Sequence, residues 1–243
     1  MNTPRIQIFP TLQALTAAAI DTVLEQAAAA ISKRGCFTIA LAGGNTPKPL
    51  YEGLAKANTL WAQWQIFWGD ERYVPHDHPD SNAGMAMATW LKHIDIPTAN
   101  IHPMPTDEPD PAVAADRYEA TLQQVLAPAT GTIPSLDLIL LGMGPDGHTA
   151  SLFPHTAALQ VRDRLVTVGD KDGQPRLTLT VPFINQARYI LFLVTGANKQ
   201  TALRHILSRT GDPHTYPAML IEGQCTWFLD QAAAEGVVKQ QSI

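Results

Sequence analysis

Apolar positions along this chain follow two alternating patterns. Residues 36–42 (CFTIALA), 136–141 (LDLILL) and 189–195 (YILFLVT) are near-continuous apolar runs of strand length. Runs of that kind suit parallel strands buried on both faces. Shorter runs at 6–9, 65–68, 100–104, 165–168, 177–181 and 225–229 predict further strands. Helical spacing separates them, at 12–33, 47–55, 81–91, 111–126 and 198–207. Thr11 precedes the first helix as an N-cap, Gly35 follows it as a terminator, and Pro47 opens the second.

Strand–loop–helix units in succession predict an α/β fold. The expected form is a three-layer, Rossmann-like domain with a mainly parallel central sheet flanked by helices. No Ser/Gly-rich linker divides the chain, and the polar stretch 106–111 (TDEPDP) is too short to be a boundary. One domain over 1–243 is therefore expected. In open sheets of this class, ligands bind beyond the carboxyl ends of the strands. That directs attention to the loops at 43–47, 69–82, 142–154 and 196–199.

Composition narrows the partners. Charged residues make up 16% of 243, and the net charge is −5. The scattered Lys and Arg form no footprint for nucleic acid. No apolar run is read as approaching the ~20 residues of a membrane span, and the first 30 residues lack the long apolar stretch of a signal peptide. A cytoplasmic protein is expected, acting as a monomer or weak homodimer on a small molecule. Cys36 and Cys225 form no CxxC or metal spacing and are read as buried thiols.

Each loop admits a bland and a functional reading. Gly43, Gly44, Asn45 and Thr46 lie between a strand and a helix, so they form either a plain turn or an anion cradle. The segment lacks Walker A spacing. Asp70, Glu71 and Arg72 are adjacent charges after an apolar strand, either solvated or facing the cleft. His76 and His78 have no companion ligands at matching spacing and are read as surface residues. Gly142, Gly144 and Gly147 formally satisfy G-x-G-x-x-G, but Pro154 stops the helix such a motif needs. Within that loop, Asp146 and Gly147 make a sharp turn that leaves His148 at a strand end, where it suits acid/base work. Arg176 and Lys199 are single charges that, together with the 43–46 loop, could close a phosphate pocket.

The segments LAGGNTPKPLYEGLA, FWGDERYVPHDHPDSNAGMA, LDLILLGMGPDGHTASLFP, PRLTLTVPFIN and TGANK, in this order, resemble the family of 6-phosphogluconolactonases and glucosamine-6-phosphate deaminases. The DER–SNAGM and GMGPDGHTASLFP segments resemble its lactonase branch. That resemblance implies hydrolysis of a phosphosugar lactone without a metal or organic cofactor. It makes His148 the general base, with Asp146 orienting it or holding substrate hydroxyls. Arg72 would stabilise developing negative charge; Gly43, Gly44, Asn45, Thr46, Arg176 and Lys199 would hold phosphate, and Asp70 would contact substrate. Two positions depart from the family's patterns. Deaminases carry Glu where this chain has Phe153, and lactonases often carry Ser where it has Asn45. The other expectations to weigh are a deaminase or isomerase, and a non-catalytic phosphosugar sensor.

Overall fold

The computed structural model describes residues 4–127 and 132–237. In chain order the elements are β1 (Arg5–Phe9), α1 (Leu12–Arg34), β2 (Phe37–Leu41), α2 (Lys48–Leu54), β3 (Trp64–Trp68), β4 (Asp70–Arg72), α3 (Asn82–Thr89), α4 (Pro111–Leu126), β5 (Leu138–Leu141), β6 (Val166–Lys171), β7 (Gln174–Leu179), α5 (Val181–Asn185), β8 (Ile190–Val194), α6 (Gln200–Ser208), β9 (Cys225–Asp230) and α7 (Gln231–Ala234). Six strands form one sheet in the order β1-β9-β8-β5-β2-β3. Every neighbouring pair in it is parallel. Helices flank this sheet, giving the α/β architecture expected.

β2, β5 and β8 are buried along their whole length, as their unbroken apolar runs require. From β2 the chain moves outward to β3, then crosses back to place β5 on the other side of β2. Strand order therefore reverses between β2 and β5, and the loops that leave their carboxyl ends diverge around a crevice.

α1 shows how local chemistry sets an element. Thr11 Oγ1 accepts the Ala14 N–H at 3.1 Å, and Gly35 at φ 79° returns its N–H to the Ile31 carbonyl. An N-cap of this kind contributes about 1 kcal/mol. Leu15, Ala19, Val23, Ala27 and Ala30 form the buried stripe, and the alanines let the helix lie close to the sheet. The sequence reading missed one property of α1. At 23 residues and a mean hydropathy of 1.3 in its most apolar window, α1 is long and apolar enough to cross a membrane. Asp21 and Glu25 break the apolar run without lowering that average enough, and the buried stripe faces the protein core.

Two expectations need correction, and two expected strands build a second sheet. The strand at 100–104 is absent. A 3₁₀ turn at Thr98–Asn100 leads to a single bridge between Ile101 and Ile66, because Pro103 and Pro105 offer no N–H to extend the ladder. The runs at 165–168 and 177–181 do form strands, but outside the parallel sheet. β6 and β7 form a hairpin and, with β4, a separate antiparallel sheet in the order β4-β7-β6. Asp172 and Gly173 turn that hairpin at φ 55° and 81°. Finally, Cys36 is half-buried rather than buried. Cys225 is buried, and burial pushes its thiol up to about 12.

Candidate active site

The β2–α2 loop, the β3–β4 corner, the β5 loop and the end of β8 meet at the crevice. They enclose a cavity of about 370 Å³. Gly43, Gly44, Asn45, Thr46, Asp70, Arg72, His148 and Lys199 all line it.

The β5 loop is built around its turn. Gly144 donates to the His148 carbonyl at 2.9 Å, and Gly147, at φ 79°, donates back to Gly144. No α-helix starts at Gly147; the next one is α5 at Val181, beyond two strands, so the G-x-G-x-x-G spacing is a tight turn and not a dinucleotide motif. The turn folds Asp146 onto His148: Asp146 Oδ1 is 2.6 Å from His148 Nδ1 and accepts the His148 backbone N–H at 3.2 Å. A side chain on Gly144 would run into both groups, its Cβ lying 2.1 Å from His148 Nδ1. Burial works to raise the Asp146 carboxyl, but the hydrogen bond and charge of His148 outweigh it and hold the group below the usual carboxylate range. With Nδ1 engaged by Asp146, Nε2 is the nitrogen left to accept a proton. Phe153 packs on the imidazole with its ring centroid 4.5 Å away and tilted by 41°.

The DER corner separates two adjacent carboxylates. Asp70 lines the cavity and accepts the Ser151 hydroxyl at 2.6 Å. Glu71 points away, fully buried, where its carboxylate accepts the backbone N–H groups of Asn82 and Ala83 at the start of α3. Arg72 lines the cavity and donates to the Asp80 carbonyl.

Two expected contributors change role. Arg176 lies directly opposite Arg72 in the β4–β7 ladder and does not itself line the cavity. Burial and the neighbouring Arg72 charge lower its pKa, and its buried Nε has no hydrogen-bond partner. α2 has only 7 residues, and Pro47 and Pro49 remove N–H groups from its start. The Gly43–Thr46 loop and Lys199 line the cavity. Burial lowers the Lys199 pKa against the opposing pull of Asp146.

Sequence reasoning missed three residues. Asn82 lines the cavity from the start of α3, although it sits within the quoted SNAGM segment. Thr195, read as a strand end, lines the cavity and lies 3.0 Å, Oγ1 to Oγ1, from Thr46. Ser151 braces Asp70. His76, outside the site, bonds the Met104 carbonyl at 2.9 Å.

A carboxylate-braced imidazole beside cationic side chains, at the switch point of a parallel sheet, defines a site for acid/base chemistry on a small anion. The chain belongs to the glucosamine-6-phosphate isomerase/6-phosphogluconolactonase family, whose model matches residues 10–228. It is 54% identical over 236 residues to a 6-phosphogluconolactonase of Synechocystis sp., covering 96% of this chain and 98% of that one. A second 6-phosphogluconolactonase, from Nostoc sp., is 52% identical over 94% of this chain and 96% of its own. Among solved structures, the 6-phosphogluconolactonase of Trypanosoma cruzi superposes with a TM-score of 0.87 at 31% identity, covering 98% of each chain.

Proposed function

We propose that this protein hydrolyses 6-phospho-D-glucono-1,5-lactone to 6-phospho-D-gluconate, the second step of the oxidative pentose phosphate pathway. The observation that carries the reading is the Asp146–His148 contact of 2.6 Å at the mouth of a cavity that Arg72 and Lys199 also line. The relatives named above support the substrate assignment.

Asp146 holds the imidazole so that Nε2 faces the lactone carbonyl. His148 takes a proton from water, and the water oxygen bonds to the carbonyl carbon. The resulting oxyanion is stabilised by Arg72 and by backbone donors. When the carbon–ring oxygen bond breaks, His148 returns its proton to that oxygen. The phosphate is held by the Gly43–Thr46 loop and Lys199, with Arg176 adding positive potential from behind Arg72. Asp70, fixed by Ser151, accepts a sugar hydroxyl. The reaction so drawn uses no metal or organic cofactor. The Phe153 ring beside His148 favours hydrolysis over the isomerase chemistry, which needs a second proton-shuttling carboxylate there. The chain is read as one cytoplasmic domain, working as a monomer or weak homodimer.

The test is a pH-stat assay with freshly prepared lactone, with spontaneous hydrolysis subtracted. General base catalysis is worth ~10²–10⁴-fold. His148→Ala is expected to lower kcat by that factor with little change in KM. Wild-type turnover by the variant would overturn the assignment.

A further inference from the structure

Asn82 is 2% exposed, yet none of its polar side-chain atoms serves α3, the helix it begins. Its Nδ2 donates to the Asp70 carbonyl at 2.9 Å, and its backbone N–H is held by Glu71 at 2.7 Å. Its Oδ1 is buried without a hydrogen-bond partner. The rest of the amide lies against Gly43. A Cβ built there would stand 1.8 Å from Asn82 Oδ1 and 2.3 Å from Cγ. Gly43 does not have a left-handed backbone, so its lack of a side chain answers to Asn82 and not to φ. On the strand side, the preceding residue is fixed by Tyr51, whose hydroxyl accepts the Ala42 N–H at 3.0 Å and donates to the Ala42 carbonyl at 2.7 Å.

We propose that Asn82 is a positioning residue: its amide is a spacer of fixed width between the Gly43 loop and the Asp70–Arg72 wall. Gly43 and Asn82 are a size-matched pair. The pair sets the distance between the loop that receives the anionic end of the substrate and the strand that presents Asp70 and Arg72. An unpaired buried acceptor is costly, and an apolar side chain of similar size would avoid that cost. Such a side chain would lose the hydrogen bond to Asp70 that keeps the spacer upright. For its activity arm this inference rests on the proposed lactonase reaction.

The experiment is a double-mutant cycle on the full chain: wild type, Gly43→Ala, Asn82→Ala and the double variant. Each is measured for Tm, for kcat and KM on the lactone, and for inorganic phosphate binding by calorimetry. A misplacement of about 1 Å costs roughly 10²-fold in rate. Gly43→Ala is expected to lose about that much in kcat/KM and to bind phosphate more weakly. Asn82→Ala is expected to raise KM, lower kcat and weaken phosphate binding, through a loop that now drifts. The double variant is expected to recover activity and phosphate binding relative to Gly43→Ala, because the methyl group occupies the space the amide vacated.

Strict additivity would overturn the pairing. A fall in Tm for Asn82→Ala with kcat, KM and phosphate binding unchanged would reduce Asn82 to a structural residue and also overturn the proposal. If Gly43→Ala alone does not yield folded protein, recovery of folded protein in the double variant supports the pairing, and its absence refutes it. Lack of lactone turnover by the wild type would instead sink the lactonase reading, with the phosphate and Tm arms still testing the pair.

Discussion

Asp146 is charged, half-exposed and adjacent to a glycine, which is an ordinary description of a surface turn. Its contact with His148 makes it more than that. A carboxylate on Nδ1 fixes the ring orientation and leaves Nε2 as the base; where such a carboxylate orients a metal-bound histidine, its loss costs about 10–100-fold. Asp146→Asn is therefore expected to lower kcat by roughly that factor and leave KM nearly unchanged, measured on the same lactone assay. An effect on KM alone would mean that Asp146 holds substrate hydroxyls instead. The pH dependence has a definite sign. The folded-state pKa of Asp146 is lowered, so the stability it lends is present above the ordinary carboxylate value of ~3.9 and is lost as pH falls through the lowered one. Acid unfolding followed by circular dichroism should show wild type losing its advantage over Asp146→Asn in that window. At this scale the sequence was informative wherever chemistry is local. Asp-Gly-His after an apolar strand announces a turn and a base together. Asn82 could not be read the same way, because its significance lies in a contact with Gly43 that only the packing of α3 on the β2 loop creates.

The elements around the cleft are joined by polar groups that never reach it. Glu71 is fully buried, and its carboxylate accepts from the Arg72, Asn82 and Ala83 N–H groups at 2.7–2.9 Å and from the Ser81 hydroxyl at 3.2 Å. It therefore ties β4 to the start of α3. Glu71→Gln keeps the shape but turns an NH₂ group toward N–H donors. A buried donor left unsatisfied costs about 1–3 kcal/mol. Urea denaturation near neutral pH should show a loss of that size, with kcat/KM falling as Arg72 and Asn82 shift. Burial raises the folded-state pKa of Glu71, against the pull of its backbone donors. Its titration therefore favours the folded state most below the unfolded value of ~4.3, and that contribution is lost as pH rises through the raised one. The Gln variant should lack this slope. Element types in the parallel sheet were legible because burial on both faces writes an unbroken apolar run. The antiparallel sheet was harder to place. Its hairpin signal, Asp172-Gly173 between alternating residues, is present in the chain, but β4 is three residues long and its partner strand β7 lies far along the chain. The expected strand at 100–104 failed for the opposite reason: Ile101 bridges Ile66 of β3, while its prolines withhold the rest of the ladder.

For the molecule as a whole, a net charge of −5 says little about the local charge of Arg72 in the cleft wall, Arg176 next to it outside the cavity lining, and Lys199 in the cleft. The first two stand directly opposite each other in the β4–β7 ladder, and like charges so placed destabilise a sheet. Among the described residues no ion pair is formed by either guanidinium. Asp70, Asp80 and Glu71 offset part of the repulsion at Arg176, where burial and Arg72 dominate. A bound anion should relieve the Arg72–Arg176 repulsion that remains. A ligand at a hundred times its Kd stabilises a protein by about 2.7 kcal/mol, so 6-phosphogluconate at that excess should raise Tm by several degrees in a chain of this size. Arg176→Met removes one charge while keeping the apolar stem. It is expected to raise Tm without ligand, reduce the Tm gain on adding 6-phosphogluconate, and raise KM more than it lowers kcat, since Arg176 stands behind the cavity wall. Salt screens exposed charges over about 10 Å at 0.1 M, so added chloride should shrink the difference between wild type and variant in both measurements. A variant less stable than wild type without ligand would show that Arg176 is held by interactions stronger than its repulsion from Arg72. The charge pair would then belong to the scaffold, and the cleft's affinity for anions would rest on Arg72, Lys199 and the Gly43 loop.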